Sequence, residues 1–172
     1  MLKIIAITII FLSSTYLGNY YGDTFKKRYR QLNCILKSIM YLNNEVIYSN
    51  TPLPEALKYV SIKVEEPIKS ILLNVSLKLE GRDVVSVYEA FKSEYMNNKA
   101  NFNLREEDKV IIKDFLKGLG ESAVYGQDKL FNLTIENMKI SCKLADDLAK
   151  KNSKMYRAIG ICFGAMIAIS LF

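Results

Sequence analysis

Along most of this chain apolar residues return every three or four positions, the period of a helix with one buried face. Phe25, Tyr29, Leu32, Leu36, Ile39, Val46 and Ile47 keep that spacing. They predict a helix that runs on from the apolar segment before it. Asn50 and Thr51 can cap a second helix opened by Pro52, because proline is tolerated in a first turn whose amides lack partners. Its inner face is Leu53, Ala56, Leu57 and Val60. Pro67 opens a third helix with Ile68, Ile71, Leu72, Val75 and Leu79 inward, and Gly81 suits a left-handed end. A fourth runs from about Val84 to Tyr95, and Asn97 to Asn103 reads as a loop. Asn103 with Glu106 forms a capping-box pattern for a fifth helix, whose first turn holds Glu106, Glu107 and Asp108 at the positive end of the dipole. Ile111, Ile112, Phe115, Leu116 and Leu119 make its core face, and Gly120 ends it. The last helix starts near Gln127 and carries Phe131, Ile135, Met138, Cys142, Ala145 and Ala149 at alternating spacings of four and three. No alternating strand pattern is persuasive, so the expected fold is all-α, an antiparallel bundle of about six helices.

The two ends depart from this amphipathic pattern. Ile4 to Leu12 is apolar apart from Thr8, and a weaker continuation reaches Tyr20 and Tyr21, where interfacial aromatics belong. Ala158 to Phe172 is apolar except for Ser170. At the helical rise it covers roughly 22 Å against a hydrocarbon core of about 30 Å, so spanning requires Lys154 and Arg157 to snorkel. The organisation read from this is an N-terminal transmembrane segment at 1–22, a cytoplasmic bundle at 23–157 and a C-terminal transmembrane segment at 158–172. A cleaved signal peptide is the competing reading of the first segment, and a helix packed into a soluble core that of the last. Gly160, Gly164 and Ala168 fall at spacing four, a small-xxx-small stripe that suits close packing of membrane helices, either within the chain or between copies.

Charge sharpens the topology. The net charge is +6, but the excess is local. Lys26, Lys27, Arg28 and Arg30 follow the first segment, and Lys150, Lys151, Lys154 and Arg157 precede the last. Between Gln31 and Ala149, fifteen basic residues face seventeen acidic ones. A nucleic-acid reader would carry its excess on a folded face, whereas these clusters sit where membrane lipids with anionic headgroups attract them. The positive-inside rule then places the middle in the cytoplasm and both termini outside.

Candidate chemistry changes little. The chain has no histidine, which removes the commonest general base and metal ligand. Cys34, Cys142 and Cys162 lack metal-site spacing and read as buried thiols in a reducing compartment. Gly118, Gly120 and Gly126 follow a helix, with no Gly-Lys-Ser/Thr after them, so they do not form a phosphate loop. Asn74-Val-Ser76 and Asn132-Leu-Thr134 are glycosylation sequons inside predicted helices. No catalytic, cofactor or metal constellation is found, and the expectation is a protein that is not an enzyme. The remaining enzymatic alternative is Ser-Lys chemistry, whose signature would be a spatial cluster of serine, lysine and oxyanion donors.

Several motifs together resemble a known family. They are a short N-terminal span opening Met1-Leu2-Lys3, a basic helix, Thr51-Pro52-Leu53 with Ala56-Leu57, Leu119-Gly120 with Gln127, and a C-terminal span. This pattern resembles the stage III sporulation protein AB family of endospore-forming bacteria over essentially the whole chain. That family looks like the F domain of type II secretion platform proteins. The resemblance implies a non-enzymatic component of a secretion-like complex linking mother cell and forespore, in the mother-cell-derived membrane. It also implies a secretion-type cytoplasmic ATPase and other stage III sporulation proteins as partners. Ala123 stands where the family carries Asp, and the platform proteins' two F domains and three spans are not matched here, so stoichiometry does not carry over and an oligomer is allowed. Thr51, Pro52, Leu53, Ala56, Leu57, Leu119, Gly120, Glu121 and Gln127 are the candidate interaction residues. Each can equally cap or turn a helix. The alternative function is a membrane-tethered adaptor that recruits a cytosolic protein without forming a channel.

Overall fold

The computed structural model describes residues 2–82, 84–121 and 124–171. Among them every regular element is helical: α1 (Leu2–Asn43), α2 (Leu53–Ile62), α3 (Ile68–Glu80), α4 (Val87–Asn97), α5 (Glu106–Glu121) and α6 (Val124–Leu171). A π-helical turn, Asn44–Tyr48, follows α1, and a 3₁₀ turn, Lys99–Asn101, follows α4. The all-α expectation holds, with six α-helices. Two compact units divide the chain: Arg30–Cys142 forms one, and Met1–Tyr29 with Lys143–Phe172 forms the other. Both α1 and α6 contribute residues to each unit as uninterrupted helices.

The Arg30–Cys142 unit buries the apolar faces that the spacing marks. Leu32, Ala56, Leu57, Val60, Ile71, Val75, Phe131 and Met138 are essentially inaccessible to water. Burial of such side chains stabilises by about 1.5 to 3 kcal/mol each before chain entropy is charged against it. Phe115 and Phe131 meet edge to face, ring centroids 5.1 Å apart, the geometry that the aromatic quadrupole favours. In sequence order, α2 packs on α3, α3 on α4 and α4 on α5.

α1 stops at Asn43, before Val46 and Ile47, α6 starts at Val124 rather than near Gln127, and other helix ends also differ from expectation. Pro52 is the residue before α2 rather than its first, and neither Asn50 nor Thr51 caps it. Instead Asn50 turns the chain with a positive φ of 51°, and the Thr51 amide donates to the Glu45 carbonyl at 2.9 Å to close the π-turn. Gly81 stays right-handed (φ −72°) because it continues the α3 hydrogen bonding, and Arg82 takes the left-handed conformation (φ 56°) one residue later. α4 starts three residues after Val84, where Ser86 accepts a hydrogen bond from the Glu89 amide at 3.2 Å. Finally, Asn103 does not cap α5. Its amide donates to Gln31 Oε1 at 2.8 Å, and the fully buried Asp108 reaches back to accept from the Arg105 amide at 2.9 Å.

Candidate functional site

In the unit formed by the chain's two ends, the expected stripe on α6 finds its partner within the chain. Ser14, Gly18 and Gly22, also at spacing four, line the facing side of α1. At Gly18 a Cβ would lie 2.7 Å from the Tyr156 carbonyl oxygen and 2.9 Å from the Gly160 Cα. Only glycine permits that approach. Ser14 donates its hydroxyl to the Gly160 carbonyl at 2.8 Å, and Gly164 packs on Phe11 and Ser14. Ala168, one turn further on, is half-buried.

In this unit small residues lie inside and large apolar ones outside. Gly18, Gly22, Gly160, Gly164 and Ser153 are buried between the helices, while Leu12 (61%), Phe163 (54%) and Ile169 (79%) are exposed. Ile9, Leu17, Ile161 and Met166 are exposed as well. Among the described residues no helix is long and apolar enough to cross a membrane. Met1 and Phe172, the outer limits of the expected spans, lie outside those residues, as does Ala123. Below the apolar stretch, Tyr156 stacks between Tyr21 and Phe25, with centroids 6.1 and 5.7 Å apart. Arg157 meets Asp23 at 3.1 Å, and Lys26 lies 3.7 Å from the same carboxylate.

The nine candidate interaction residues fall at two helix boundaries. Thr51 and Pro52 precede α2 and Leu53 begins it, with Thr51 and Leu53 half-buried and Pro52 exposed, while Ala56 and Leu57 are core. Pro52 borders a surface hollow shared with Pro54, Glu55, Tyr59 and Glu80. Leu119 is buried, Gly120 and Glu121 are the last two residues of α5, and Gln127 is half-buried in the first turn of α6. Ala56, Leu57 and Leu119 are therefore packed in the core, and Pro52 is the exposed residue among those whose exposure is described.

Polar side chains clip the Arg30–Cys142 unit together. Lys78 on α3 meets the buried Glu94 on α4 at 2.6 Å, and Asn74 donates to the same carboxylate at 2.9 Å. Those two hydrogen bonds hold the Glu94 carboxyl below the ordinary glutamate range, against the upward push of burial. Lys78 also donates to Ser93 Oγ at 3.1 Å. The same ammonium group is paired with Glu94. On α1, the Gln31 side chain binds both sides of a connecting segment, donating to the Asn101 carbonyl at 2.7 Å and accepting from Asn103. Sequence reasoning missed both clips. It also missed the Ser86 cap and the Ser14-Gly18-Gly22 stripe, for which the Ser86-Val-Tyr-Glu89 pattern and the spacing of four are the available signals.

Of the three cysteines only Cys142 is buried. Cys34 is half-buried and Cys162 exposed, and none of the three forms a disulfide. Burial pushes the Cys34 thiol up. Among the described residues no group of three or more Cys, Asp or Glu is placed to hold a metal ion.

Comparison with known proteins gives a consistent family. The model of the family described as stage III sporulation protein AB matches residues 3–172. A protein of that name from Bacillus subtilis (strain 168) is 23% identical over 172 residues, covering 99% of both chains. A solved structure of a stage III sporulation protein AB superposes with a TM-score of 0.65 at 20% identity, over 72% of this chain and 96% of that one.

Proposed function

Since the chain belongs to the stage III sporulation protein AB family, with a role in sporulation, we propose that it is a non-enzymatic, membrane-anchored component of a secretion-like complex between mother cell and forespore. Its two ends pair as lipid-facing helices in the mother-cell-derived membrane, and its bundle works in the cytoplasm as platform or coupling element for a secretion-type ATPase. The observation that carries this reading is the inverted terminal hairpin, with glycine and serine inside and Leu12, Phe163 and Ile169 outside. In water such a surface is costly. In lipid it costs nothing, and small residues are what bring membrane helices together.

The flanks support the same reading. The Tyr21–Tyr156–Phe25 stack and the Asp23–Arg157 pair sit beside the basic clusters, as expected of residues at a headgroup layer. α1 and α6 each contribute residues to both units, a covalent connection suited to transmitting movement imposed by an ATPase.

The test is accessibility of single cysteines at Asn98 and near each terminus, with Cys34, Cys142 and Cys162 replaced. A membrane-impermeant maleimide applied to intact cells should label the termini and spare position 98. Labelling at 98 would reverse the topology and with it the ATPase partnership. Extraction of the chain by alkaline carbonate would remove the anchoring itself, and co-purification without any ring-forming complex or ATPase would leave the adaptor function.

A further inference from the structure

Between α4 and α5 the fold leaves an open, apolar groove of about 150 Å³ that neither the anchor nor the core accounts for. Tyr88, Phe91 and Tyr95 on α4 face Ile112 and Leu116 on α5, with Leu104 contributed by the segment between them. The spacing on each helix is three and four, so each wall is one continuous helix face. An apolar cavity of this size accommodates a benzene ring. Phe91, Ile112 and Leu116 also border a smaller internal cavity of about 40 Å³ among the core aliphatics, which gives them room to yield to an inserted side chain.

Charge at the groove runs against the surrounding domain. The stretch from Gln31 to Ala149 is slightly acidic, yet three lysines, Lys92, Lys109 and Lys113, line this groove and no carboxylate does. A fourth, Lys117, lies over the Tyr88 ring, 5.3 Å from its centroid. Lys109 is occupied by Glu106 at 2.6 Å. Lys92 and Lys113 are exposed, and among the described residues neither has a carboxylate partner. An aromatic trough rimmed by the exposed Lys92 and Lys113 complements an apolar anchor flanked by carboxylates. Two helix faces side by side are also the groove in which a third helix packs.

We propose that this groove docks an acidic amphipathic helix of a partner protein, which seats one aromatic side chain against Phe91, Ile112 and Leu116 and sets Asp or Glu one turn to either side against Lys92 and Lys113. The proposal deepens the partner half of the function above and rests on it for the existence of a cytoplasmic protein partner. The recognition chemistry itself comes from the groove alone. Binding follows the usual division: the buried ring holds the complex, and the rim charges set encounter rate and salt dependence.

The experiment uses the full chain in detergent micelles and a designed helical peptide with one Phe flanked by Glu at helical spacing. Companion peptides carry Phe→Ala or Glu→Gln. The readouts are fluorescence anisotropy and the methyl resonances of Ile112 and Leu116. Saturable binding is expected, with shifts at those methyls, lost for the Phe→Ala peptide and weakened at least about tenfold by Lys92→Glu with Lys113→Glu or by Glu→Gln in the peptide. Both lysines are exposed, so the variants should melt like the parent. Should they fail to fold, a salt titration of the unaltered chain gives the same information. Equal binding of the Glu→Gln peptide, absence of methyl shifts, or insensitivity to charge and salt would each overturn the proposal. Self-association of the chain that the two substitutions abolish would assign the groove to a second copy and also overturn it. No membrane topology or ATPase enters this test, so its failure and that of the anchoring reading are separable.

Discussion

Gly18 and Gly160 touch across the terminal hairpin: a Cβ on Gly18 would come within 2.9 Å of the Gly160 Cα. The atoms in the way are backbone and have no rotamer in which to retreat. Gly18→Ala should therefore push the helices apart and cost about 1 to 3 kcal/mol, the range for overpacked sites, and Gly18→Leu more. Ser14→Ala, which removes only the hydroxyl bond to Gly160, should cost about 1 kcal/mol. Thermal melts in detergent, following near-UV signals of Tyr156, would rank the three. Equal effects of Gly18→Ala and Ser14→Ala would argue that the close approach is relaxed in solution.

The Lys78–Glu94 pair predicts an acid limb in stability. Glu94 is held below its ordinary range by hydrogen bonds from Lys78 and Asn74, so the folded state binds fewer protons than the unfolded one in that window. Its contribution is present above the unfolded glutamate value of about 4.3 and fades as pH falls through the folded value. Glu94→Gln should flatten this limb in urea titrations between neutral and acid pH and lower neutral stability by about 1 to 3 kcal/mol. Glu106, also lowered but fully exposed, should leave the limb nearly unchanged when made Gln.

Gln31 fastens the 101–103 segment through both ends of its amide. Gln31→Leu keeps the volume but leaves the Asn101 carbonyl and the Asn103 amide without that partner, at about 1 to 3 kcal/mol. Hydrogen exchange at the Asn103 amide should accelerate beyond what the global loss explains. An unchanged rate would mean that another group already protects it.

Arg82 carries a positive φ while Gly81 beside it does not. A left-handed conformation costs a residue with a Cβ roughly 1 kcal/mol or more relative to glycine. Arg82→Gly should thus stabilise the chain by about 0.5 to 1 kcal/mol in chemical denaturation. The exchange Gly81→Ala should be tolerated, because that position is helical.

Local rules carried the sequence reading far. The core faces of α2, α3 and α5 follow from apolar spacing because packing a single helix stripe is a local pattern. The stripe at Gly160 and Gly164 was legible too, but its mate at Ser14, Gly18 and Gly22 was not matched to it. Their sequence separation exceeds a hundred residues, and spacing alone does not pair two stripes. Gln31 and Glu94 belong to no motif in the sequence, and Asn74 only to a glycosylation sequon. Their roles arise only when a distant backbone or a lysine arrives to satisfy them. The left-handed turn at Gly81 slipped by one residue because the α3 hydrogen bonds continue through the glycine. At the candidate interaction segments, Ala56, Leu57 and Leu119 proved to be packing residues, for which a motif and a core face look alike in one sequence.

The pairing of α1 with the far end of α6 also has a consequence during synthesis. Ser14 and Gly160 are 146 residues apart, and at about 5 to 20 residues per second the ribosome takes on the order of ten seconds or more to deliver the second after the first. Through that interval the early helix is made without its mate, and the intervening domain can collapse around its own local contacts first. The hairpin therefore cannot close before the intervening domain has been synthesised.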